Sequence, residues 1–116
     1  MPVATTQITF AEALYQVARL AGLVKYQGTA TAGTTTSLTD ATNMRVATTQ
    51  ATTVTGKYLL KRAGTGAGEF NEIITYGTIG VMTWQTADTA PTSTTTWALL
   101  AIHPGLIVSA LQDVQR

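Results

Sequence analysis

"YLLKRAGTGAGEFNEIITY", residues 58–76, decides how the chain is read. Two strand-like stretches enclose the glycine-rich "GTGAGE" of residues 64–69. A P-loop would place Lys and Ser/Thr after the last glycine and open a helix there. Here Glu69 and Phe70 follow Gly68, and a carboxylate at that point repels phosphate. A dinucleotide fingerprint also fails, because no strand–helix–strand unit surrounds the glycines. Glycines supply positive φ and a tight reversal, so the stretch predicts a hairpin between Lys57–Ala63 and Glu69–Tyr76.

Working outward, the segment 24–101 is rich in Thr, Val, Gly and aromatic residues with a short period. It predicts strands near 27–32, 35–39, 57–63, 69–76, 79–84 and 96–101. "TAGTTTSLTD" reads as an early hairpin with Gly33 at its turn, and Gly77–Thr78 as a tight connection. Residues 40–56 read either as a loop or as a short helix followed by a strand. "TADTAPTSTTT" is a loop around Pro91. "WALLAI" is apolar on both faces and predicts a central or covered strand.

Helices flank this region. Thr9 with Glu12 forms a capping box, which predicts a helix over 9–22. Its expected apolar stripe is Phe10, Leu14, Val17 and Leu20/Ala21, with Gly22 as the stop. Pro104 suits the first turn of a second helix over 104–115. Leu106, Ile107, Ala110, Leu111 and Val114 give that helix a broad apolar stripe. Residues 1–8 read as an extended arm. The whole, 1–116, is read as one domain: arm, helix, β-module over 24–101, helix. The expected class is α+β, a small antiparallel β-barrel or sandwich of five or six strands. Its terminal helices pack on each other, on the β-module, or on a neighbouring subunit.

Composition bounds the function. Hydrophobic residues make up 45% of the chain, enough for a core, while charged residues make up 11%. That is less than half the usual share of about 25%. Threonine, at about a fifth of the chain, fills the gap with uncharged, β-branched side chains. Such a surface is readily buried against neighbours because few charges must be desolvated. Net charge is +1. Lys57, Lys61 and Arg62 form the only basic cluster, too little for a nucleic-acid footprint. With no cysteine, disulfides and thiolate chemistry are excluded. The start, Met1 to Thr6, lacks the pattern of a signal peptide, and Trp97 to Leu111 is too short to span a bilayer. These features read as a soluble protein used without secretion.

No catalytic constellation emerges. The spacing of Glu69 and Glu72 puts them on opposite faces of a strand. Asp40, Asp88 and Asp113 sit at turns or a helix end, where carboxylates cap and solubilise. His103, the single histidine, reads as an N-cap or boundary residue before Pro104, without partners for a metal. Neither Ser37 nor Ser109 lies in a strained nucleophile turn. Trp84, Trp97, Tyr58, Tyr76 and Phe70 are not interleaved with basic residues, so they read as core and rim rather than as stacking platforms. No enzyme, metal or cofactor is therefore expected.

"GTATAGTTTSLTD", "GKYLLKRAGTGAGEFNEIITY" and "TWQTADTAPTSTTTWALL" together resemble a β-module of tailed-bacteriophage structural proteins. The resemblance covers about two-thirds of the chain. It departs at Phe70 and Asn71, where that module usually carries a basic residue. The flanking helices are similar to those of small phage neck proteins. The resemblance implies a virion protein, assembled in the bacterial host cytoplasm, that forms a cyclic homo-oligomer in the head-to-tail connector. Its implied partners are itself and the portal or other neck and tail proteins, with no membrane and no specific nucleic acid, DNA being free to pass through the ring. A capsid decoration or fibre-attachment protein is the alternative. Ile107, Leu111 and Val114 are the candidate assembly contacts. Deleting residues 107–116 is expected to abolish incorporation into particles.

Overall fold

The computed structural model describes residues 10–114. The arm over 1–8, Thr9 of the capping box and Gln115 lie outside the described residues. Helix α1 (Phe10–Leu20) leads into β1 (Val24–Thr29), β2 (Ala32–Thr34) and β3 (Ser37–Thr39). After a 3₁₀ helix over Thr48–Thr53 come β4 (Tyr58–Ala63), β5 (Phe70–Glu72), β6 (Thr75–Thr78), β7 (Val81–Thr83) and β8 (Thr96–Leu100). Helix α2 (Pro104–Val114) follows.

The class is α+β and sandwich-like. Sheet one runs β1-β8-β4-β5 and sheet two β2-β3-β7-β6, with every pairing antiparallel. Among the described residues eight short strands replace the five or six expected, because two of the expected strands turn a corner between sheets. Ile73 N–H donates to Lys57 O in sheet one, and the next amide, Ile74, donates to Thr83 O in sheet two. Likewise Ala30 donates to Thr95 O and Thr31 to Thr39 O. The stretches 69–76 and 27–32 are thus continuous in pattern but divided in pairing. Alternation reports which face a side chain takes, not which strand its backbone meets.

The hairpin at the glycine-rich loop forms as expected. Tyr58, Leu59 and Leu60 pair with Glu72, Asn71 and Phe70, and Gly68 N–H donates to Lys61 O at 2.8 Å. Gly64, Gly66 and Gly68 adopt φ of 80°, 84° and 96°, which other residues rarely do. The early hairpin turns elsewhere than expected. Thr35 and Thr36 make its turn, while Gly33 sits inside β2 opposite Leu38. A Cβ at Gly33 would stand 2.6 Å from Pro91 Cδ, so glycine there serves close packing. The next connection falls at Ile79–Gly80, after β6, rather than at Gly77–Thr78. Residues 40–56 hold no strand: a turn at Asp40 leads to the 3₁₀ helix.

Strand β8 is central in sheet one and apolar on both faces, as its sequence predicts. Trp97 and Leu99 join Leu59, Leu38, Met82, Met44 and Val54 between the sheets. Ala98 and Leu100 join Leu60 on the outer face, beneath Ala11, Leu14, Tyr15 and Ala18 of α1 and Ile107 of α2. Both helices pack on that outer face and on each other.

Helix α1 ends at Gly22, where Leu23 N–H reaches Ala18 O and Gly22 N–H reaches Arg19 O. This 6→1 and 5→2 pair closes the helix through a left-handed glycine. Its buried face is not the expected stripe. Ala11, Leu14, Tyr15 and Ala18 point inward, while Phe10 and Leu20 are 61% and 79% exposed. Small alanines let the helix lie close on the sheet. Tyr15 is held by a hydrogen bond to Gln27 and by Arg62, whose guanidinium sits 3.5 Å above its ring centre.

Candidate functional site

The charged residues sort first into ties that hold the fold. Lys61, on β4, is 1% exposed. Its ammonium lies 2.9 Å from Glu69 Oε1, 2.9 Å from Asp88 Oδ1 and 2.6 Å from Thr89 O. The Trp84 ring centre is 5.2 Å away. Asn71 donates to the other oxygen of Asp88, and Thr89 donates through its amide and hydroxyl to Glu69. Burial pushes the Glu69 carboxyl up, but hydrogen bonds from Thr89 and Lys61 and the lysine charge outweigh it and hold Glu69 below its ordinary value. The cluster fastens the glycine-rich turn to the loop before β8. Glu69 answers a lysine here.

Asp40 is fully buried and accepts the Trp97 indole N–H at 2.9 Å, the amides of Thr42 and Asn43, and the Asn43 side chain. This ties the turn after β3 to the central strand of sheet one. Trp84 donates to Thr35 O at 3.0 Å and the Tyr76 hydroxyl to Val46 O at 2.7 Å. Glu12 on α1 meets Arg62 on β4 at 3.2 Å. Burial raises its carboxyl, and hydrogen bonds from Arg62 and Gln16 together with the Arg62 charge bring it below its usual value.

The remaining sequence candidates separate. His103 accepts the Gly105 N–H on Nδ1 at 2.8 Å and stands edge-on to Tyr58 and Phe70, with ring centres 5.0 and 5.2 Å away. It caps α2, as its position before Pro104 predicts. Ser37 exchanges a hydrogen bond with Thr34 across the β2–β3 hairpin. Among the described residues no group of three His, Cys, Asp or Glu is placed to hold a metal. Trp84, Trp97 and Tyr76 are buried; Tyr58 is half-buried and Phe70 exposed.

Of the expected assembly contacts, Ile107 faces inward at 3% exposed and belongs to the chain's own helix-covered core. The side chains of Leu111 and Val114 lie outside the described part of α2. The stripe expected on this helix also includes Leu106, which faces outward at 60% exposure. Among the described residues, the large apolar groups open to solvent on the helix layer are Phe10, Leu20 and Leu106. Sequence periodicity alone did not separate them from the buried set, because both sets recur at helical spacing.

No helix among the described residues is long and apolar enough to cross a membrane. No family model matches the chain, and no curated protein or solved structure matches it.

Proposed function

We propose that this chain is a structural subunit of a tailed-phage particle, forming an oligomeric ring in the head-to-tail connector that joins portal to tail. The observation that carries the reading is the exposure of Phe10, Leu20 and Leu106 on the two terminal helices. Their layer covers one face of the sandwich and leaves these three large apolar side chains open to solvent. Low charge density and abundant threonine support the same reading, since a surface poor in charge is buried at little desolvation cost. A ring of identical subunits closed by heterologous contacts would cover such side chains on each copy. In this role the ties at Lys61 and Asp40 hold each subunit rigid, and no reaction is assigned to them.

The test is the copy number of the chain in purified particles, measured by quantitative mass spectrometry against the major capsid protein. A count on the order of ten fits one cyclic ring. Hundreds would move the protein to the capsid surface as a decoration, and none would remove it from the particle. Because Ile107 serves the fold, deleting residues 107–116 would mix assembly with stability. Leu20→Ser with Leu106→Ser probes the surface alone.

A further inference from the structure

Most cationic side chains among the described residues have partners. Lys61 meets Glu69 and Asp88, Arg62 meets Glu12, Arg19 meets Gln16, and Arg45 donates to the carbonyl of Ala41. Lys25 and Lys57 have neither an ion pair nor a side-chain hydrogen bond among the described residues. The two come together in the fold. Lys25 lies on β1 and Lys57 just before β4, and both strands pair with β8 at Leu100. The basic cluster visible in sequence, Lys57 with Lys61 and Arg62, is thereby dissolved: its two later members turn to carboxylates, and Lys57 gains Lys25 instead.

Between these lysines opens a cleft of about 410 Å³, lined by Lys25, Tyr26, Thr52, Thr53 and Lys57. The two threonines come from the end of the 3₁₀ helix. Among the described residues no carboxylate lines the cleft. The Tyr15 and Tyr76 hydroxyls are hydrogen-bonded, but that of Tyr26 has no partner among the described residues, nor has the Thr52 hydroxyl. Two ammonium groups and two hydroxyls without partners therefore share one concave site. Its volume falls within the range of small-molecule pockets, about 300–1,000 Å³, and suits a nucleotide-sized group. Lysines act on phosphate as point charges, without the planar fork by which arginine grips a carboxylate. A half-buried tyrosine at the same site offers an aromatic surface to a base.

We propose that this cleft binds the phosphate ester of a nucleotide, free or within a single strand, with Lys25 and Lys57 supplying the charge and Tyr26 and Thr52 the neutral contacts. The site goes beyond the structural role proposed above and does not depend on it.

The experiment is fluorescence anisotropy of a short labelled oligothymidylate with the full chain at low salt, competed by thymidine monophosphate and by inorganic phosphate. The expected result is binding whose affinity falls with salt at a log–log slope of about −1.4, from two phosphates at about −0.7 each. Lys25→Ala with Lys57→Ala should weaken it at least about tenfold and flatten that slope. Arg45→Ala, outside the cleft, should leave it unchanged. Circular dichroism and thermal melting check that each variant is folded. Tighter binding of the strand than of the monophosphate identifies a strand as the source. Equal binding identifies a free phosphate ester, and either supports the site. No binding by the unmodified chain overturns the proposal. So does a double variant that binds equally well, or an Arg45→Ala variant that loses as much.

Discussion

The two faces of sheet one are built differently. Between the sheets lie Trp97, Trp84, Tyr76, Met44 and Met82, and the polar atoms of the aromatic rings find fixed partners in Asp40, Thr35 O and Val46 O. The inner core is closed on itself. Beneath the helices the packing is by Ala11, Ala18 and Ala98 around Leu14, Leu60 and Leu100, and the same helices present Phe10, Leu20 and Leu106 outward. The difference teaches a division of labour. The inner core is closed by fixed polar partners, and the helix layer buries one side on the sheet while leaving Phe10, Leu20 and Leu106 exposed on the other.

Breaking the inner core should cost most. Trp97→Ala removes the largest fully buried side chain and leaves the Asp40 carboxylate without its indole donor. A loss of about 3–5 kcal/mol is expected in urea unfolding, the acid keeping its bonds from Thr42 and Asn43. On the helix side, Leu14→Ala should cost about 2–4 kcal/mol, the lower part of the range for buried leucines if α1 settles onto its alanines. Equal losses at Trp97 and Leu14 would erase the distinction between the two cores.

Lys61→Met comes next. It leaves Glu69 and Asp88 facing each other, but both retain solvent access, so about 1–3 kcal/mol is expected rather than the full cost of a buried orphan charge. Acid should act on the same tie. Glu69 and Glu12 have folded-state pKa values below their ordinary 4.5. Their stabilisation is complete above about 4.5 and is lost as pH falls through the lowered folded values. Thermal midpoints measured from neutral pH downward should therefore drop below 4.5, and less steeply in Lys61→Met.

The smallest effect on stability is expected from Leu20→Ser with Leu106→Ser, within about 0.5 kcal/mol at each exposed site. The same pair should deplete the chain from purified particles. Unchanged stability with unchanged incorporation would remove these side chains from assembly and leave the outward side of the helix layer without its proposed use.

The sequence carried the local structure further than the tertiary structure. The stop at Gly22, the glycine-rich hairpin, the two-faced β8 and the cap at His103 were legible because each depends on residues close in the chain. The corners at Ala30–Thr31 and Ile73–Ile74 were not, since alternation continues through them unbroken. Nor was the inward face of α1: Phe10–Leu14–Val17 and Ala11–Leu14–Tyr15–Ala18 are both helical stripes, and the sheet beneath selects the smaller one. Lys61 looked like part of a surface cluster because Asp88 and Thr89 stand 27 and 28 residues away. The Lys25–Lys57 cleft was hidden for the same reason, its halves being joined only through β8.

The place of β8 also sets a timetable. It is the last strand among the described residues and an interior one of its sheet. Until it emerges from the ribosome, β1 has no neighbour in sheet one, and β4 has only its hairpin mate β5. At about 5–20 residues per second, several seconds pass between the appearance of β1 and that of β8. The nascent chain spends that interval with the wide edge of an unfinished sheet open. Subunits arrested short of residue 96 would be expected to clump with one another, whereas full-length ones close in a single cooperative step.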